Sequence, residues 1–259
     1  MVRKYDLVVS IGSCCKVSYN LRRYGLQLES FPFDWFRIPS IDVINDLFET
    51  DFKNFFREEN LRLHSKQPRF DEVDDLGTGI CSVHDFDTNR SIHDCYPEVM
   101  EKFNRRIGRL KDKLKQAKTV LMVWGAEKNF VSDEEIVRQF TILQEKFAPN
   151  KIDFLYLYLP EEKIEFERKM LSPDILKISC QKEKEFEWQG NPKLFGNILS
   201  EFRLAFKTKL KWYTSLIYLN GLKKRFKMFV VKLVSDLIFI KKYRRAFRDK
   251  YLEKRNHFQ

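Results

Sequence analysis

Two thiols, Cys14 and Cys15, stand side by side directly after Gly12-Ser13 and the apolar run 7–11. Val17, Leu21 and Tyr24 follow at helical spacing, so the segment reads as a buried strand, a tight glycine turn and a helix. A helix N-terminus offers unpaired N–H groups and the positive end of the helix dipole. That setting favours the thiolate, which is the nucleophilic form of cysteine. Cysteine catalysis also needs a base, and the base needs a group to orient it. His84, in Ser82-Val-His-Asp-Phe-Asp87, is the candidate base, and Asp34 or Asp87 the candidate orienting carboxylate. Gly12 and Ser13 at the helix start would border an oxyanion. Trp35 and Asp85, next to Asp34 and His84, complete the candidate substrate-binding set. Each residue has a plainer reading: Cys14 and Cys15 as small apolar packing at a strand–helix junction, His84 as a hydrogen-bonded structural histidine, Asp34 as a turn cap.

Other chemistries find less support. His64 and His93 lie in polar segments and His257 near the last residue, so no metal-ligand spacing emerges, and neither metal nor cofactor is expected. Gly12-Ser13-Cys14-Cys15 is neither a GxGxxG turn nor a GxxxxGKS loop, which leaves nucleotide-phosphate binding unsupported. A Gly-x-Ser-type start after a first strand is similar to serine esterases of the SGNH type, but their terminal Asp-x-x-His pair is missing.

These residues must be held by a fold. Apolar residues make up 43% of the 259, which supports a packed core rather than disorder. Five cysteines without framework spacing argue against a disulfide scaffold and for a reducing, cytoplasmic compartment. The N-terminal apolar run is too short for a signal sequence, and no stretch approaches the ~20 apolar residues of a spanning helix. Strands are expected at 6–11, 79–83, 119–124, 151–159 and 175–180. Helices are expected at 14–24, 41–56, 96–117, 132–147, 161–170 and 192–207, with 57–78 a polar excursion. Strands alternating with helices predict an α/β fold: three layers, a mostly parallel sheet with helices on both faces, and a C-terminal basic helical extension. Ligands of such sheets sit at strand carboxyl ends, just where Cys15 and His84 are expected. The predicted division is an α/β domain at 1–206 and a basic amphipathic tail at 207–259.

Charge supports that division. The whole chain carries +11, yet residues 207–259 hold 16 Lys and Arg against 3 Asp and Glu, while residues 1–206 hold 32 against 34. The tail interleaves Lys223-Lys-Arg225 and Lys241-Lys-Tyr-Arg-Arg245 with apolar clusters such as Met228-Phe-Val-Val231. This pattern suits an anionic membrane surface, and the expected location is cytoplasmic and peripheral on the inner membrane. A helical hairpin with solvated charges is the plainer alternative, and single-stranded nucleic acid the least favoured partner.

The motifs together carry a resemblance. Val8-Val-Ser-Ile-Gly-Ser-Cys-Cys15, Leu21-Arg-Arg-Tyr-Gly-Leu26 and Phe31-Pro-Phe-Asp-Trp35 resemble an uncharacterised bacterial family described as papain-like cysteine peptidases. The family's cysteine matches Cys15 and its His-Asp-Phe element matches His84-Asp85-Phe86; Arg105-Arg106 and Trp188-Gln-Gly190 match later elements. The resemblance spans about residues 5–200 and implies a cysteine hydrolase or acyl transferase acting on a peptide or glycan-linked substrate. It also implies a rival reading, a non-peptidase enzyme or scaffold of surface-polysaccharide biosynthesis. The alternation of strands and helices departs from the helical half and antiparallel barrel of papain itself.

Overall fold

The computed structural model describes residues 2–127, 131–181 and 189–236. They fall into two compact units, Met1–Ala205 and Phe206–Gln259. The first is mixed α/β. It opens with β1 (Arg3–Tyr5), the fully buried β2 (Leu7–Ser10) and α1 (Cys15–Arg23). Then come β3 (Phe36–Arg37), α2 (Ile41–Glu49), β4 (Leu61–Ser65), β5 (Phe70–Asp75) and β6 (Ile80–Asp87). The long α3 (Ile92–Gln116) leads to β7 (Thr119–Ala126), α4 (Asp133–Lys146) and β8 (Lys151–Tyr158). β9 (Glu167–Ser172), β10 (Ile175–Ser179), α5 (Pro192–Leu199) and β11 (Phe202–Leu204) complete it. The second unit contains α6 (Phe206–Tyr213) and α7 (Leu216–Asp236).

The main sheet has the order β2-β7-β8-β10-β9, parallel except for β9. Its central strands are apolar on both faces, as parallel strands covered by crossover helices must be. Alternate residues feed two apolar clusters. Val9, Met122 and Phe154 pack with Phe103 of α3 and Phe140 of α4, whereas Val8, Leu121 and Leu155 pack with Val17 of α1 and Phe195 of α5. Ser91, Ser132 and Asn191 cap α3, α4 and α5 by accepting backbone N–H bonds.

A second sheet, β3-β6-β5-β4, is antiparallel throughout, and sequence reasoning did not anticipate it. The polar excursion 57–78 contains its outer hairpin. The signal was hidden because two of the three inward residues of β5 are carboxylates, Asp71 and Asp75. Asp75 is satisfied in the interior by the Phe56 and Gly77 amides and the Thr78 hydroxyl, at 2.9, 3.0 and 2.7 Å. Four other expectations need correction. The helix expected to reach residue 56 stops at Glu49, because Asp51, Phe52 and Phe56 take positive φ of 54°, 63° and 51°. That turn buries Phe52, Phe55 and Phe56, so tertiary burial overrides helix propensity. Residues 167–170, assigned to a helix, are instead the start of β9, a charged edge strand whose Arg168 clasps Glu201 at 2.6 and 2.7 Å. The helix from residue 192 stops at Leu199, and β11 pairs parallel with β1. α3 begins at Ile92 rather than 96, since Ser91 captures an extra turn ahead of Pro97.

Candidate active site

The thiols sit where β2 passes into α1. Gly12 and Ser13 run on beside β7: the Gly125 amide donates to the Gly12 carbonyl, and the Ser13 amide to the Gly125 carbonyl, both at 3.0 Å. The Ser13 N–H expected to border an oxyanion is therefore already engaged. Gly12 has φ of +113°, and a Cβ there would meet Ile38 at 2.8 Å. A Cβ on Gly125 would meet Val17 of α1 at 2.5 Å and the Cys14 sulfur at 3.1 Å. Both positions need glycine for close approach. Cys14 is the N-cap and Cys15 the first residue of α1.

Electrostatics at the sulfurs differ from the sequence expectation. Burial pushes the Cys14 thiol up to about 12 and the Cys15 thiol up to about 11. For Cys15 the strongest opposing influence is the positive charge of Arg37, while Glu127 and Asp85 add to the rise. Both sulfurs are thus thiols at neutral pH in the free protein, and the helix terminus does not overcome desolvation. Glu127 forms an ion pair with Lys16, which is buried in the first turn of α1.

Asp34 turns away from the role of orienting His84. Its Oδ1 accepts from Ser18 at 2.9 Å, and its Oδ2 from Arg22 at 2.7 Å, Gln27 at 2.7 Å and the Phe31 amide at 3.0 Å. Its side chain is 0% exposed. Asp34 is the buckle that fastens the Pro-Phe-Asp-Trp loop to α1. Asp87 likewise serves its own turn, accepting from the Asn89 amide at 2.8 Å.

Trp35, next in sequence, holds φ of +72°, and its ring faces two ways. The Arg22 guanidinium lies 5.5 Å from the ring centroid, and the His84 ring meets it edge-on at 5.9 Å. His84 lies inside β6, in the antiparallel sheet, and not beyond a parallel strand as expected. It is exposed, and partial desolvation lowers its pKa, so the ring is neutral at physiological pH. The next residue, Asp85, is buried, accepts from Ser82 Oγ at 2.5 Å and pairs with Lys102 of α3.

The charge of Asp85 acts on both the Cys15 sulfur and the His84 ring. β3 carries Arg37 and pairs directly with β6. Among the described residues, Cys15 and His84 share no hydrogen bond. Sequence reasoning missed Arg37, Glu127, Ser82 and Lys102. Arg37 stands two residues after Trp35, but the positive φ of Trp35 breaks the strand alternation that would relate their faces. Trp188 of the expected closing motif lies outside the described residues, as does the tail from 237 onward.

The fold and site define an α/β protein with a thiol at a helix start and a histidine in an antiparallel strand. The chain belongs to the family described as "Putative papain-like cysteine peptidase (DUF1796)", whose profile matches residues 6–159. The match covers Cys15, Asp34 and His84 and ends before Trp188-Gln-Gly190. The chain is also similar to "Uncharacterized protein R408" of Acanthamoeba polyphaga mimivirus, 35% identical over 71 residues. That stretch is 27% of this chain and 32% of the relative, so the chain spans about a third of the relative's length. This viral relative lends nothing to the bacterial setting expected from the sequence. No solved structure matches the chain.

Proposed function

We propose that the protein is a cysteine-dependent hydrolase or acyl transferase in which Cys15 is the nucleophile and His84 the general base. In this reading the Cys15 S–H proton passes to the neutral His84 ring, directly or through one water. The sulfur bonds the carbonyl carbon of an acyl donor, and the leaving group departs with that proton. Water or a second nucleophile then releases the acyl group from the thioester. The observation that carries the reading is the shared Asp85: one carboxylate acts on both the thiol and the imidazole. Family membership supports the same class of chemistry. Trp35 supports it too, because its ring restrains His84. Arg37 would stabilise the thiolate as it forms. Peptide and glycan-linked acyl donors are the substrate classes to screen.

A generic ester tests the chemistry without the natural substrate. With p-nitrophenyl acetate, a burst of nitrophenolate should accompany acetylation of Cys15, read by mass spectrometry of tryptic peptides. Cys15→Ala should abolish the burst, and Cys14→Ala should keep it. His84→Ala should slow acylation by about 10²–10⁴-fold at an unchanged melting temperature. Acetylation that persists in Cys15→Ala rejects the assignment.

A second observation supports a location for the C-terminal unit. In α7, Leu219, Leu222, Phe226, Phe229 and Val230 follow a helical stripe, and all are exposed. Exposed Lys223, Lys224, Arg225 and Lys227 surround the stripe. No helix among the described residues is long and apolar enough to cross a membrane. An exposed apolar stripe with a cationic border complements an anionic lipid surface, where each Lys or Arg contributes about 1 kcal/mol. The protein is expected to float with vesicles containing phosphatidylglycerol at low salt and to be released as salt rises. Equal recovery with neutral vesicles, or none with either, rejects this location.

A further inference from the structure

α3 presents Lys102, Arg106, Arg109 and Lys113 on one face, at i, i+4, i+7 and i+11. Three of them have partners. Lys102 pairs with Asp85. Arg109 donates to the Ser30 carbonyl at 2.8 Å and lies 3.5 Å from Glu29, which Lys113 also pairs. From α1, Arg22 donates to Ser30 Oγ at 2.8 Å and to Asp34 at 2.7 Å. Arg106, partly buried with its guanidinium 5.4 Å from the Phe103 ring centroid, has no hydrogen bond or ion pair among the described residues.

The three carboxylates of this neighbourhood, Asp34, Asp85 and Glu29, are already engaged, while five cations surround them. Arg106 feels the attraction of Asp85 and Asp34 and the repulsion of Arg22 and Arg109. Burial is the dominant influence and lowers its pKa. A guanidinium carries five N–H donors, and those of Arg106 reach solvent with no protein acceptor among the described residues. An oxyanion with two free oxygens could engage two of them in paired, charge-assisted bonds. The place also matters, because Asp85 acts on Arg106, Cys15 and His84 alike.

We propose that Arg106 is the anchor of an anion subsite beside Cys15, taking a carboxylate or phosphate group. That this anion belongs to the substrate rests on the reading of Cys15 as nucleophile; the anion subsite itself stands on the α3 face alone.

Two measurements on the full chain separate these claims. In thermal unfolding, inorganic phosphate or acetate should raise the melting temperature of the wild type, the more effective salt naming the preferred anion. The rise should vanish in Arg106→Gln and survive in Arg105→Gln, whose exposed side chain pairs with Glu101 on the same helix. A wild type that neither anion stabilises, or an Arg106→Gln variant stabilised equally, overturns the subsite. In the second measurement, Cys15 is alkylated at pH 9 with anionic iodoacetate or neutral iodoacetamide. The iodoacetate-to-iodoacetamide rate ratio should fall about tenfold in Arg106→Gln, and phosphate should suppress that ratio in the wild type. An unchanged ratio in both tests also overturns it. If Cys15 reacts with neither reagent while phosphate still stabilises the wild type, the nucleophile reading fails and the subsite stands. Should Arg106→Gln fold poorly, the wild-type phosphate and acetate series decides by itself.

Discussion

Asp34→Ala should be the most damaging single substitution in the neighbourhood of the site, costing about 3–5 kcal/mol of stability. The carboxylate is fully buried and receives four donors, one of them the Arg22 guanidinium. Truncation leaves a half-buried cation, a buried amide side chain and the Phe31 N–H without their acceptor, which costs far more than losing one neutral bond. For a body of this size the melting temperature should drop by about 10 °C, and urea unfolding should give the same free energy. The control is Arg22→Ala combined with Asp34→Ala. The double variant should be less unstable than the sum of the singles, because removing both charges leaves neither stranded. A loss below about 1 kcal/mol for Asp34→Ala would show that the buckle does not hold the loop.

The second large effect concerns reactivity. A thiol pushed up to about 11 is ionised far less at pH 7.5 than a free cysteine near 8.5. Cys15 should therefore alkylate with iodoacetamide about a hundredfold or more slowly than a model thiol at neutral pH. The sign follows from the protonation order. The folded protein retains the proton through the range where the model thiol has lost it, so the rate should climb about tenfold per pH unit past pH 9 without a plateau. Arg37→Gln removes the main opposing charge and should slow the reaction further at every pH. A plateau below pH 8 would mean a preformed thiolate–imidazolium pair and would contradict the observed surroundings of the sulfur. A neutral thiol beside a neutral imidazole fits a mechanism in which the proton moves as the bond to the acyl carbon forms.

The parallel sheet was readable in the sequence because its strands are continuous apolar runs: β2, β8 and β10 fall within the expected segments, and β7 runs two residues past its own. The helix start at Cys15 was readable for the same reason: the period changes from the strand run to Val17 and Leu21. The antiparallel sheet was not. β5 alternates in burial but not in hydropathy, because it buries Asp71 and Asp75, and β4 alternates in hydropathy yet leaves Leu63 and most of its residues exposed. Polar strands become visible only when the partners of their buried carboxylates are known, and for Asp75 two of the three are turn amides with no side-chain signature. The site was half readable. Residue type singled out Cys15 and His84, but the charges that set their chemistry come from Arg37, Asp85 and Glu127, on separate elements. Asp34 carried a misleading signal, since a carboxylate near a histidine candidate suits an orienting role as well as a structural one.

The two larger sheets have no strand in common. Trp35 and Asp34 are consecutive, yet one grips the first helix and the other abuts the histidine of the second sheet. This pair of residues is therefore an alignment pin: its length and left-handed kink fix how far the sulfur-bearing helix stands from the imidazole-bearing strand. Evolutionary constancy of such a segment would reflect tolerance in ångströms rather than taste for a substrate. Change of specificity can then proceed elsewhere while the pin stays as it is.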